Sequence, residues 1–153
     1  MLMAADCSIS YDQDTTISAE CDGFTLDRNQ DFDISIITGV SVRSPGGGDN
    51  QVIKLHFDMG GVLTNNGTIE TTYGNNAIDL GYAPETMTVN KIINTGNITA
   101  NFRTIKIGLG STLNLLSNAG TIYATNPNAI YNQGSINAIY NSGQIQASQN
   151  TIY

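Results

Sequence analysis

Asn118-Ala119-Gly120-Thr121-Ile122-Tyr123-Ala124 and Asn141-Ser142-Gly143-Gln144-Ile145-Gln146-Ala147 are two copies of one phrase, Asn-x-Gly-x-Ile-x-Ala. With Thr or Ala at the last position it also occurs at Asn65–Thr71, Asn94–Ala100 and Asn132–Ala138. A half-unit accompanies most copies: Ala77-Ile78, Thr104-Ile105, Ala129-Ile130, Ala138-Ile139 and Thr151-Ile152. Asn and Gly tolerate positive φ, so Asn-x-Gly reads as a turn. The residues after it alternate, which is the period of a half-buried strand. Ile69, Ile98, Ile122, Ile136 and Ile145 form the inward set, each followed two residues on by a small Thr or Ala suited to a tight corner. Near-identical strands make sense if coils stack and each Ile lies above the last. An antiparallel sandwich would need hairpins and no such identity. The expected fold is therefore an all-β parallel β-helix of roughly six or seven coils. The repeat glycines Gly67, Gly96, Gly120, Gly134 and Gly143 are unevenly spaced. The first two gaps suit whole coils. The last two are short and suit one motif reused at different corners of one coil.

Composition agrees. Charged residues are 12% of the 153 and apolar ones 40%, so a core is affordable and strong helix formers are sparse. The net charge of -7 removes a basic nucleic-acid footprint. No apolar stretch is long enough for a membrane helix.

Residues 1–60 lack the motif and are read as an acidic N-terminal cap with the first coils; residues 61–153 are the repeats. Asp6, Asp12, Asp14, Glu20, Asp22, Asp27, Asp31 and Asp33 crowd the start, opposed only by Arg28, and suggest a solvated segment. Short strands are expected at 8–10, 15–18, 24–26, 33–37, 40–42 and 51–57, with Ser44–Asn50 as an exposed loop. Cys7 and Cys21 suggest a small disulfide loop in an exported protein, with two free thiols as the alternative; a metal would need two more ligands, and His56 is distant. Met1–Cys7 is too short for a signal peptide and reads as the stub left after one.

Reactive constellations are scarce. His56 is the only histidine and sits in an alternating strand, which suits a surface position better than a general base. Asp58, Glu70, Asp79 and Glu85 show no repeated pattern that would set a carboxylate pair. Asp27, Asn29, Asp31 and Asp33 alternate like the start of a calcium loop, but Phe32 stands where the Gly belongs. No catalytic residue, cofactor or metal is assigned. Tyr123, Tyr131, Tyr140 and Tyr153 are the surface-binding candidates, because Tyr combines contact area with a polar tip.

The phrase Asn-x-Gly-x-Ile-x-Ala with its Ala-Ile half-unit resembles the passenger repeat of bacterial autotransporters, the type V secreted proteins. The likeness covers about Gly61 to Tyr153. It implies a right-handed parallel β-helix exported through the periplasm and an outer-membrane translocator barrel that this chain does not contain. It also implies display at the bacterial cell surface or secretion. The chain runs out within a repeat, so it reads as an N-terminal passenger fragment whose last coil invites association. The function so implied is non-enzymatic adhesion to a host receptor or glycan, or self-association. The alternatives are a stalk for a downstream enzyme or toxin, and a two-partner-secretion domain, to whose signature Asn126-Pro127-Asn128-Ala129-Ile130 is similar.

Overall fold

The computed structural model describes residues 6–44, 51–81, 84 and 86–153. Most of the loop expected at 44–50, and the first five residues, lie outside the described residues. The chain winds as a parallel β-solenoid of about five turns, with no helix among the described residues. Its strands are β1 (Thr15–Ile17), β2 (Phe24–Leu26), β3 (Ile34–Ile36), β4 (Ser41–Arg43), β5 (Ile53–Leu55) and β6 (Met59–Asn65). They continue as β7 (Thr68–Thr71), β8 (Ile78–Leu80), β9 (Thr88–Asn94), β10 (Asn97–Ala100), β11 (Ile105–Ile107) and β12 (Thr112–Asn118). The last are β13 (Thr121–Ala124), β14 (Asn128–Asn132), β15 (Ser135–Asn141), β16 (Gln144–Ala147) and β17 (Asn150–Ile152). Three parallel sheets result. Face 1 runs β1-β3-β6-β9-β12-β15, face 2 runs β4-β7-β10-β13-β16, and face 3 runs β2-β5-β8-β11-β14-β17. They cross residue 60 without interruption, so the cap and the repeats share one stack.

The repeats stack as their identity demands. Ile69, Ile98, Ile122 and Ile145 are register partners on face 2. The half-unit isoleucines Ile78, Ile105, Ile130 and Ile152 form the matching column on face 3. The short final gaps are two corners of one coil: Ile136 lies over Leu113 and Val89 on face 1, apart from the other motif isoleucines. This double use explains why there are about five turns and not six or seven. Ile69, Ile98 and Ile122 have no exposed surface, whereas Ile136, Ile139, Ile145 and Ala147 of the last coil are only partly buried against the core.

The motif's turn chemistry differs from expectation. Among the described residues no non-glycine has positive φ, and of the glycines only Gly23, Gly39, Gly81 and Gly110 do. Gly67, Gly96, Gly120 and Gly143 are required by proximity. A Cβ on Gly96 would stand 2.0 Å from the Gly67 carbonyl oxygen, and one on Gly120 at 2.0 Å from that of Gly96. The turns between faces 1 and 2 therefore nest with no room for a side chain.

The motif asparagine is also not a left-handed turn residue. It points inward and builds a buried amide ladder. Asn65 Nδ2 donates to Asn94 Oδ1 at 2.8 Å, Asn94 Nδ2 to Asn118 Oδ1 at 2.7 Å, and Asn118 Nδ2 to Asn141 Oδ1 at 2.7 Å. Each of these amides also donates to the backbone carbonyl of the next coil's turn: Asn97, Thr121 and Gln144. The ladder begins at Asn65 because the register partner beneath it is Ile36, which offers no donor; Asn65 Oδ1 is buried and unpaired. At the other corner Asn132 does a different job, its Oδ1 accepting from the Gly134 backbone N–H at 3.2 Å. Asn94→Leu is expected to cost about 2–4 kcal/mol, since it strips the donor from Asn118 and the acceptor from Asn65 within the core. Chemical denaturation of the variant against the wild-type chain measures it; an unchanged midpoint would show the ladder to be idle.

The N-terminal coil is stapled. Cys7 and Cys21 are joined by a disulfide, with Cα atoms 5.1 Å apart and both side chains buried. The Cys7 backbone N–H donates to the Gly23 carbonyl, and Cys21 bridges to Val42, so the bond ties the entering chain to face 2. The double Cys→Ser variant should lose about 2–4 kcal/mol, read from the denaturation midpoint. The stretch expected as a strand at 8–10 is irregular instead.

Several acids of this segment are not merely solvated. Asp14 Oδ1 accepts from the Asp33 backbone N–H at 3.0 Å, Asp33 Oδ1 from that of Val62 at 2.8 Å, and Asp58 Oδ1 from that of Thr88 at 2.7 Å. They form a staircase that caps the corner leading into face 1. A sequence-level charge count cannot separate such a cap from a solvated acid.

Candidate functional site

The outward columns follow from the register. On face 2 the outward series is Arg43, Glu70, Thr99, Tyr123 and Gln146. On face 3 it includes Lys54, Asp79, Lys106 and Tyr131. On face 1 Tyr140 continues a column through Ile93 and Ser117. The four candidate tyrosines are thus not one surface. Tyr123 is on face 2, Tyr140 on face 1, and Tyr131 and Tyr153 meet on face 3 in a parallel stack with ring centroids 5.3 Å apart. The motif's reuse at two corners is what separates them, and spacing along the chain hides it.

Two features stand beside these tyrosines. The first is a shallow concavity of about 410 Å³ where β7, β10 and β13 turn toward face 3. Thr71, Thr72, Thr99, Ala100, Asn101, Tyr123 and Thr125 line it. Its rim is hydroxyl and amide, and Tyr123 contributes a ring that is 41% exposed. The second is an arginine that the sequence reading did not single out. The Arg103 guanidinium carbon lies 3.6 Å from the Tyr131 ring centroid and 4.4 Å from that of Phe102. The Arg103–Tyr131–Tyr153 column thus climbs three successive coils of face 3. The signal available in sequence was a cation one coil below a tyrosine, visible only once coil length is known.

A larger concavity of about 540 Å³ lies at the acidic end, walled by Asp6, Asp22, Asp27, Tyr11, Gln51 and Lys54 among others. Two of the alternating acids that look like the start of a calcium loop, Asp27 and Asp33, are separately engaged. Arg28 Nε donates to Asp27 Oδ1 at 3.1 Å, and that bond, with the Tyr11 hydroxyl second, holds the Asp27 carboxyl below the usual carboxylate range. Asp33 caps Val62. Among the described residues no three acids, His or Cys converge on a point where a metal ion could sit. His56 follows β5 and is half-buried.

The deeply buried ion pair among the described residues is Lys106–Asp79. Lys106 Nζ is 3.2 Å from Asp79 Oδ1, and Asn76 Nδ2 donates to Asp79 Oδ2 at 3.2 Å. Asp79 faces outward from β8 yet has no exposed surface, so the pair is a covered strut between two coils.

Compared with known protein families, characterised proteins and solved structures, the chain matches none. Its properties rest on its own residues.

Proposed function

We propose that this chain is a passenger segment of a bacterial autotransporter, displayed at the cell surface or secreted, and that it acts without catalysis. Its export would run through the periplasm and a translocator barrel outside this chain. The resemblance of the Asn-x-Gly-x-Ile-x-Ala repeat to passenger repeats supports this origin, and the disulfide fits an oxidising compartment. The adhesive role, toward a host glycan or receptor or toward another rod, rests chiefly on one observation. The outward column of face 2 carries the exposed Tyr123 beside a shallow, hydroxyl-lined groove, and that of face 3 ends in the stacked Tyr131 and Tyr153. Stacked coils repeat each contact every ~4.8 Å, so a polymeric partner can be held by many weak polar bonds.

Beads coated with the chain should attach to host cells or to one another, and Tyr123→Ala should weaken attachment without lowering thermal stability. Beads that neither attach nor cluster would favour the stalk reading, in which a downstream part of the protein acts.

A further inference from the structure

The molecule is electrically divided. All 13 acids lie at or before Glu85, and Lys91, Arg103 and Lys106 are the only charged residues after it. Lys106 is committed to Asp79. Arg103 is not so committed. Among the described residues no carboxylate stands within ion-pair distance of its guanidinium, and its Nε is buried without a hydrogen-bond partner. A cation in this state, on the half of the rod that holds no acid, has an unmet demand for an anion.

The surroundings say which anion. The Tyr131 ring lies against the guanidinium, and Tyr131 is in turn braced by Tyr153. Tyr153 is held opposite Tyr131 by the backbone: its N–H donates to the Ile130 carbonyl at 3.0 Å, and its carbonyl accepts from the Asn132 N–H at 3.0 Å. A guanidinium resting on an aromatic ring has lost most of its freedom before any ligand arrives. A planar, two-oxygen acceptor can therefore be bound at a small entropic cost, and the paired N–H groups match a carboxylate. Tyr153, 65% exposed, adds an aromatic face one ring beyond Tyr131 from the charge. Neutral amides complete the surface, with Asn150 Nδ2 donating to Asn128 Oδ1 at 3.3 Å on the same two coils. An exposed aromatic face, a fixed guanidinium and neutral amides suit a sugar that carries a carboxylate.

We infer that Arg103, Tyr131 and Tyr153 form a binding subsite for a carboxylate-bearing sugar, such as a uronic-acid unit of an acidic polysaccharide. Arg103 takes the carboxylate of one unit through its terminal nitrogens, and the outer face of Tyr153 takes the apolar face of a neighbouring unit of the same polymer. The inference deepens the adhesive reading and rests on it for the source of the ligand; the chemistry of the subsite is independent of display.

The test is titration calorimetry of the intact chain with an oligogalacturonate and with the same oligomer fully methyl-esterified. The free acid should bind, more weakly as salt rises, and the ester should bind at least tenfold more weakly. Arg103→Gln should weaken binding of the acid about tenfold to a hundredfold, the loss of a charge-assisted bidentate pair. Arg103→Lys, which keeps the charge and loses the fork, should fall between. Tyr153→Ala changes an exposed side chain, should fold as wild type, and should weaken binding even if Arg103→Gln proves unstable. Equal binding of acid and ester, full binding by Arg103→Gln, or no binding to the wild-type chain would each overturn the inference. So would a chain that binds neither oligomer but self-associates through Arg103, since the guanidinium would then serve the acidic coils of a second copy. Bead attachment to cells is read separately, so failure of the subsite and failure of the adhesive role are distinguishable.

Discussion

A single methyl group at Gly96 is expected to disrupt the coil stack. The added Cβ would meet the Gly67 carbonyl oxygen at 2.0 Å and the Asn66 carbonyl carbon at 2.8 Å. Both are backbone atoms of a turn that is nested above and below, so neither can give way without moving a whole rung. Overpacking that side chains can absorb costs about 1–3 kcal/mol, and here the backbone must move, so Gly96→Ala should cost about 3 kcal/mol or more. For a chain of this size that lowers the melting temperature by about 6–12 °C. Gly74 is the control. It has no atom within 4 Å of its would-be Cβ and no positive φ, so Gly74→Ala should be neutral or slightly stabilising, by about 0.5 kcal/mol. Thermal melts by circular dichroism compare the two. Coincident melting curves would mean that proximity is not what keeps glycine in the motif.

Lys106→Met should be of similar size for a different reason. It removes the ion-pair partner of the Asp79 carboxylate, which has no exposed surface and keeps the Asn76 amide as a donor. Removing one partner of a buried pair typically costs about 3–5 kcal/mol, because the remaining charge is left uncompensated. In an Asp79→Asn background the same change should cost much less, as the charge is gone and an acceptor for Asn76 remains. Denaturation of the two single variants and the double variant closes the cycle. Additive effects across it would show that the two side chains act independently.

Much of the architecture is legible in the repeat. The alternation around Ile69, Ile98, Ile122 and Ile145 gives strand, face and stacking partner together, because only parallel coils in register reward such identity. The short Gly120–Gly134–Gly143 spacing likewise points to a motif shared between corners. The reasons for the motif's own letters are not legible. Asn and Gly both carry strong turn propensities, so local chemistry explains them fully before the fold is known. Their actual duties, an amide ladder and a contact too close for a Cβ, exist only between coils and leave no trace in a single turn. The candidate site suffers likewise. Tyr131 and Tyr153 were identifiable as polar-tipped rings, but Arg103 joins them through a register that shifts with every change in loop length. Asp14, Asp33 and Asp58 are hidden for the same reason, since a capping carboxylate and a solvated one have the same sequence.

From β6 onward the corner between faces 1 and 2 is spanned by two residues each time, Asn66-Gly67, Thr95-Gly96, Ala119-Gly120 and Ser142-Gly143, whereas four residues, 37–40, join β3 to β4. The other corners vary in length, from the stretch between β4 and β5 down to Gln133-Gly134 between β14 and β15. From β6 onward the rod therefore has one seam closed to evolutionary insertion and two that are open. New loops, epitopes or grafted peptides can enter on either side of face 3 at little cost to the scaffold, whereas a single extra residue in the closed seam would push an asparagine out of the ladder. Diversification in such a protein should accumulate around face 3, where variable loops flank the arginine–tyrosine column, and spare the seam that keeps successive coils in step.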